Sequence, residues 1–261
     1  MTPAGLLLAG LACTAASPLP ASTRPVTIVA HRGLTEDAPE NTLTAIRQSI
    51  GRGVAVIEVD VRPTRDGQLV LLHDASLGRT TNCHGALAGF TLASLKSCDA
   101  GGPAHQGERV PTLREALALV DGSSTRLLLD IKPGTSLDAV IAEIRASNAA
   151  SKIIFGLRRA DQVADARAAM PNAMILAFMP HMADAPSFTA AGAQIIRLWS
   201  DWVQTDPALI SRVRALGPQV WVLAGRRLPR DESEWRALHA RMMRLNVDGL
   251  ITNRPELVTI P

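Results

Sequence analysis

The chain has 261 residues, 47% of them apolar and 20% charged, which suits one globular domain with a sizeable core. Its formal net charge is +3 and no basic run occurs, so composition excludes a nucleic-acid footprint and allows only a mild preference for anionic small molecules. Lysine is confined to Lys96, Lys132 and Lys152, and Lys132 is conspicuous inside an apolar run.

Residues 1–24 read as a signal peptide or a disordered N-terminal tail. Ala4 to Ala16 is apolar and small, too short to cross a bilayer, and is followed by Ser17-Pro18-Leu19-Pro20-Ala21-Ser22, although no Lys or Arg precedes Arg24. Export to a periplasm or the exterior is the expectation. It would place Cys83 and Cys98 in an oxidising compartment, where a disulfide closing their short loop stabilises by roughly 3 kcal/mol in the chain-entropy view. Without export they read as two buried thiols.

Thr27 to Ala30 reads as a short buried strand ending at His31. Asn41-Thr42 caps a helix to Ile50, stopped by Gly51 and Gly53. Val54 to Val61 is the next strand, and after the Asp66-Gly67 turn a short one, Leu69 to Leu72, ends at His73. Residues 75–110, glycine-rich and holding both late cysteines, read as an insertion over one end of the sheet, with a helical patch near Leu92 to Lys96. A capping box, Thr112-Leu113-Arg114-Glu115, starts the helix that follows.

Strands then begin near residues 126, 152, 174, 194, 219 and 248. Helices between them run from Ser136 to Arg145, Asp161 to Ala169, Asp184 to Ala191, from an Asp206 N-cap with Pro207 at the first position, and from Glu232 to Leu245. With those at 27 and 54 the strands number eight, each but the last followed by a helix. This predicts an α/β fold, a TIM (β/α)8 barrel over residues 25–261 with a small insertion after the second strand.

The chemistry concentrates between His31 and Asp74. Glu58 and Asp60 are two apart on a strand and therefore face one side, the barrel interior. Buried carboxylates repel unless a cation joins them, and oxygen ligands point to a divalent cation, Mg²⁺ or Ca²⁺, with Mn²⁺ a third option. A salt bridge to Arg32 or Arg62 is the plain structural alternative. Asp130 and Lys132 repeat the spacing after three leucines. They read either as a self-neutralising pair or as a third ligand beside a cation for a phosphoryl oxygen. His31 and His73 end strands flanking the carboxylates, where imidazole takes a proton and its conjugate acid returns one. Arg32 offers a planar fork to an anionic oxygen. Glycine-rich phosphate loops, a nucleophile elbow and His-Glu-x-x-His are missing from the sequence. The residues describe a barrel hydrolase suited to phosphoester chemistry.

In this light the sequence resembles the glycerophosphodiester phosphodiesterase family. The matching residues are His31-Arg32-Gly33, Pro39-Glu40-Asn41-Thr42, Glu58-Val59-Asp60-Val61, Thr64-Arg65-Asp66-Gly67, His73-Asp74 and Leu77-Gly78-Arg79-Thr80-Thr81. Pro111-Thr112-Leu113, Asp130-Ile131-Lys132 and Asp248-Gly249-Leu250-Ile251-Thr252 extend the likeness, which spans residues 28–256. The resemblance implies metal ligands Glu58, Asp60 and Asp130, acid/base residues His31 and His73, and charge stabilisers Arg32 and Lys132, with Trp221 joining Arg32 and Lys132 in substrate binding. It also implies attack of a glycerol hydroxyl on phosphorus, departure of the alcohol, and opening of the cyclic phosphate by water to glycerol 3-phosphate. The expected partner is a small glycerophosphodiester.

Three positions depart from the family pattern. Asp130 stands where Glu is usual, which shortens that ligand by one methylene. Trp221-Val222-Leu223-Ala224 stands where Trp-x-Val-Asn is common, and Asn253 replaces a common Asp; both are expected to lie outside the catalytic core. Two alternatives share the pattern: a related barrel phospholipase D acting on sphingomyelin or lysophospholipid, and a barrel that holds a headgroup without catalysis. The former needs an apolar rim. Phe178, Met179, Trp199 and Trp202 are the candidates for it, and packing is the expectation for them.

Overall fold

The apolar runs from Thr27 onward that read as strands become strands in the computed structural model, which describes residues 25–224 and 229–259. The strands are β1 (Thr27–His31), β2 (Val56–Pro63), β3 (Leu69–Leu71), β4 (Arg126–Ile131), β5 (Ile153–Leu157), β6 (Met174–Ala177), β7 (Ile195–Trp199), β8 (Gln219–Leu223) and β9 (Gly249–Thr252). Eight are parallel, and pairing of β1 with both β2 and β9 closes the ring. β3 pairs antiparallel with β2 and stays outside it. The fold is a TIM barrel. The candidate export segment, residues 1–24, lies outside the described residues. Among the described residues no helix is long and apolar enough to cross a membrane.

The helices are α1 (Leu43–Gly51), α2 (Leu92–Leu95), α3 (Leu113–Asp121), α4 (Leu137–Arg145), α5 (Ala160–Ala169), α6 (Ala185–Ala190), α7 (Ser200–Thr205), α8 (Leu209–Arg214) and α9 (Glu232–Arg244). Thr112 and Glu115 form the capping box of α3, and the Ser136 hydroxyl caps α4. Thr42 alone caps α1, which leaves the Asn41 side chain for other contacts. Two expectations change. α8 starts after Ala208, two residues later than expected and without a side-chain cap, and Asp206 pairs with Arg212. The short α7, unforeseen, fills the turn after β7.

Strand alternation builds two layers. Outward residues such as Ile57, Val59, Leu127 and Leu129 pack against the helices. Inward residues Val29, Val56, Leu128, Ile154, Leu176, Ile195, Trp221 and Ile251 fill the barrel. Continuing each strand by two residues gives His31, Glu58, Asp130, Gly156, Phe178, Arg197, Leu223 and Asn253. The apolar plug thus passes into a layer at the carboxyl ends of the strands that is polar at His31, Glu58, Asp130, Arg197 and Asn253 and apolar at Phe178 and Leu223. Two glycines make room within it: a Cβ on Gly249 would lie 2.6 Å from the Trp221 ring, and one on Gly156 would lie 2.4 Å from Phe178.

The segment between β3 and α3 carries a separate small core of Leu77, Leu87, Leu95, Cys98 and Val110, resting on Val70 and Leu72. Cys83 and Cys98 are disulfide-bonded there, with Cα atoms 5.6 Å apart. Lys96 reaches Glu115 on α3 at 2.7 Å.

At the far end of the chain the buried His239 on α9 meets Thr252 Oγ1 on β9 at 2.9 Å. Burial lowers the pKa of His239 from its ordinary 6.5. Above that value both folded and unfolded chains hold it neutral. Below it the unfolded chain takes a proton that the folded chain refuses, so stability falls as pH drops. The melting temperature should fall less between about pH 7.5 and about pH 5.5 in His239→Gln than in the unsubstituted protein, by differential scanning calorimetry.

Candidate active site

Register decides which side chains meet. β1 sets His31 beside Glu58, and β2 sets Asp60 beside Asp130 on β4. Glu58, Asp60 and Asp130 are all buried, and each offers an oxygen within 4.8 Å of the others. Three carboxylates so placed suit a hard divalent cation, and the spread of their oxygens fits one.

Each carboxylate is also held by the protein. The Arg32 backbone N–H donates to Glu58 Oε2 at 3.0 Å. Asn41 clasps Asp60 twice: its Nδ2 donates to Oδ2 at 2.7 Å, and its Oδ1 accepts from the Asp60 N–H at 3.0 Å. Arg32 Nε lies 3.3 Å from Asp60 Oδ2. Both donors sit in left-handed backbone, Arg32 at φ 62° and Asn41 at φ 58°, and Asn41 N–H donates to Arg32 C=O at 3.0 Å. For a non-glycine residue this region costs energy, and here it aims two groups at one carboxylate pair. Lys132 Nζ stands 2.6 Å from Asp60 Oδ1 and donates to Asp130 Oδ2 at 2.5 Å. The salt-bridge and self-neutralising pairs of the sequence reading therefore both form, within the same cluster.

The charges interact strongly. Burial, then repulsion from Asp60 and Asp130, pushes the Glu58 carboxyl well above the carboxylate range. Burial acts the same way on Asp60, but Lys132 and Arg32 outweigh it and hold that carboxyl down at about 2. Lys132 loses from burial and gains more from Asp60 and Asp130, so its ammonium is held above its ordinary value.

The two histidines are oriented differently. His31 Nδ1 faces Asn253 Oδ1 at 2.8 Å, and since that oxygen only accepts, Nδ1 carries the hydrogen. Its Nε2 lies 3.7 Å from Glu58 Oε2. Burial, and then the Arg32 charge, lowers the pKa of His31 to about 4. His73 Nδ1 faces Asp74 Oδ1 at 2.6 Å. Arg79, then His73, keeps the Asp74 carboxyl at about 2, so Asp74 accepts and Nδ1 again donates. In both rings Nε2 is left for exchange. Arg62 Nε donates to the His73 carbonyl at 2.9 Å.

An outer chain of pairs joins these elements. Arg79 Nε donates to Asp74 Oδ2 at 2.5 Å, Arg79 also binds Glu40, and Glu40 accepts from Arg32 Nη1 at 2.9 Å. The groups open on a cavity of about 350 Å³. Its near wall carries His31, Arg32, Glu58, His73, Asp130 and Lys132. Its far wall adds Arg158, Phe178, Arg197 and Trp199. Arg158 Nη2 donates to Asp130 Oδ1 at 2.8 Å and Oδ2 at 2.6 Å.

The expected site residues thus meet, except Trp221. It is 1% exposed in the barrel core, where its Nε1 donates to Gln219, because the absent side chain of Gly249 lets the ring lie flat inside. Phe178 and Trp199, expected to pack, do so against the barrel core and line the cavity as well, while Met179 and Trp202 pack in the outer layer. Asn253, expected outside the catalytic core, touches His31. Arg158 and Arg197 carried no signal beyond inward parity on their strands, and Asn41 read as a helix cap.

The model of the glycerophosphoryl diester phosphodiesterase family matches residues 31–257. The chain belongs to this family. It is similar to a glycerophosphodiester phosphodiesterase of Caldanaerobacter subterraneus subsp. tengcongensis, 30% identical over 88% of this chain and 94% of the relative. Among solved structures it resembles a glycerophosphodiester phosphodiesterase from Agrobacterium tumefaciens, with 26% identity, a TM-score of 0.74, and 89% and 98% of the two chains covered. An Oleispira antarctica phosphodiesterase solved with its product, sn-glycerol-3-phosphate, is 25% identical with a TM-score of 0.74, covering 89% and 94%. As a glycerophosphodiester phosphodiesterase the protein is a phosphoric diester hydrolase.

In this phosphodiesterase two variants separate the roles of the clasp and of the far wall. Asn41→Ala removes one contact to the Asp60 carboxylate and one to its backbone N–H and leaves a strained backbone, and should cost about 2–4 kcal/mol in urea unfolding; Asn41→Gly relieves the strain and should cost less. Arg158→Gln removes a fixed charge from Asp130, and should tighten Mn²⁺ binding by about tenfold in a metal-dependent thermal-shift titration.

Proposed function

We propose that the protein hydrolyses glycerophosphodiesters to glycerol 3-phosphate and an alcohol, with Glu58, Asp60 and Asp130 holding a divalent cation and His31 and His73 exchanging protons. The observation that carries this reading is the clustering of Glu58, Asp60 and Asp130 beside one cavity that is lined by Glu58, Asp130, Lys132 and both imidazole rings. The cation, when bound, acts as a Lewis acid that neutralises charge on the phosphoryl oxygens.

His31, neutral and with Nδ1 occupied by Asn253, is suited to take the proton of the glycerol 2-hydroxyl on Nε2. The hydroxyl oxygen bonds to phosphorus, the bond to the alcohol oxygen breaks, and His73 Nε2 delivers its proton to that oxygen. Water then gives a proton to His73 and bonds to phosphorus, the ring P–O bond breaks, and His31 returns its proton to the glycerol oxygen. Arg32 and Lys132 offset the charge that gathers on the phosphoryl oxygens between these states. Asp74 and Asn253 fix the ring orientations throughout. The product named in the Oleispira antarctica complex supports this direction of cleavage.

Export also belongs to this reading. The Cys83–Cys98 bond supports it, because such bonds persist outside the reducing cytosol.

Release of glycerol 3-phosphate from glycerophosphocholine should need Mg²⁺, Ca²⁺ or Mn²⁺ and stop on chelation. His31→Ala and His73→Ala should each lower kcat by about 10²–10⁴-fold while keeping the native circular dichroism spectrum. Full activity in either variant would reject the assigned roles.

A further inference from the structure

The far wall of the cavity differs in chemistry from the wall that holds the carboxylates. Phe178 follows β6, and Trp199 ends β7. In most settings such rings offer their faces to a quaternary ammonium. Here both are already covered. The Arg158 guanidinium carbon lies 5.2 Å from the Phe178 centroid and that of Arg197 lies 5.4 Å from it. Arg197 also lies 4.1 Å from the Trp199 centroid. Strand parity dictates this arrangement: Arg197 and Trp199 are two apart on one strand, and Gly156 beneath Arg158 makes room for the Phe178 ring.

Among the described residues, Leu223, Ala224 and Ile251 add uncharged lining on this side of the cavity. None of the described residues assigned to this wall is a carboxylate, and the nearest on the other wall, Asp130, is already contacted by Lys132 and Arg158. A cationic headgroup would therefore meet two arginines, covered rings and apolar side chains. An anionic headgroup would meet guanidinium groups whose planar forks match phosphate oxygens. A neutral polyol such as the glycerol half has no need of two such charges.

We propose that this wall receives the alcohol half of the diester and selects alcohols bearing a second anionic group, best a phosphorylated polyol, over alcohols bearing a quaternary ammonium. Arg197 and Arg158 are the specificity-determining residues. The inference rests on the proposed hydrolysis at the same site and adds the substrate class to it.

The test compares kcat/KM of the full chain, at saturating divalent cation, for glycerophosphoinositol 4-phosphate, glycerophosphoinositol and glycerophosphocholine. The phosphorylated polyol should exceed the neutral polyol by about tenfold, and the choline diester should fall below both. Arg197→Gln should bring the ratio of phosphorylated to neutral polyol close to unity, and Arg197→Lys should keep most of it. The ratio is internal to each protein, so partial loss of folded enzyme cancels. Should Arg197→Gln fail to fold, Arg158→Gln is read in the same way and should also lower the ratio. A choline diester cleaved as well as the phosphorylated one, or a ratio unmoved by the glutamine variants, overturns the inference and leaves the hydrolysis intact. No turnover of any of the three diesters overturns the hydrolysis and this inference together.

Discussion

Repulsion among three carboxylates confined to one small volume is the constraint to which the rest of this barrel responds. Adjacent parallel strands with Asp60 opposite Asp130, and Glu58 one pleat below, leave no way to spread that charge by moving side chains. The fold answers with fixed groups. Lys132 stands between two of the acids, the Arg32 N–H faces the third, and Asn41 meets Asp60 from a backbone conformation that asparagine tolerates better than most residues. Burying charge without partners is costly, so these contacts are conditions for folding as well as for chemistry.

Around that centre the polar groups form two shells with different tasks. The inner contacts set the position of the carboxylates. The outer chain, from His73 through Asp74, Arg79 and Glu40 to Arg32, connects the segment after β3 to the loop before α1. The two imidazoles sit in contrasting places. His31 is sunk in the barrel beside a neutral amide, and His73 stands nearer solvent beside a carboxylate. Two rings of identical chemistry thereby acquire different surroundings, the usual way for a site to divide acid from base.

Much of this was legible in the sequence because period and chirality leave few choices. Apolar runs alternating with capped helices specify the eight strands, and the i, i+2 spacing of Glu58 with Asp60 and of Asp130 with Lys132 specifies a shared face. Long-range neighbours were not legible. Asn41 and Thr42 both look like caps, and only the fold shows that the hydroxyl does the capping while the amide reaches 19 residues along the chain to Asp60. Trp221 looks like a cavity residue until Gly249, on the neighbouring strand, is seen to open a slot for it. Arg158 and Arg197 resemble ordinary arginines, since the Phe178 ring that both cover comes from another strand and only the spacing of Arg197 and Trp199 is local. Asp206 satisfies every local rule for a cap, yet α8 starts after Ala208 and Asp206 pairs with Arg212.

Gly156 has a reach larger than its size. The Phe178 ring lies across the place where its side chain would be, so the aromatic platform is shared property of two neighbouring strands. A single added methyl deep in the barrel would tilt that platform and, with it, the guanidinium groups resting above. On the proposed reading of that wall, a substitution at Gly156 would change which alcohol is accepted while leaving Arg158, Arg197 and both rings unsubstituted.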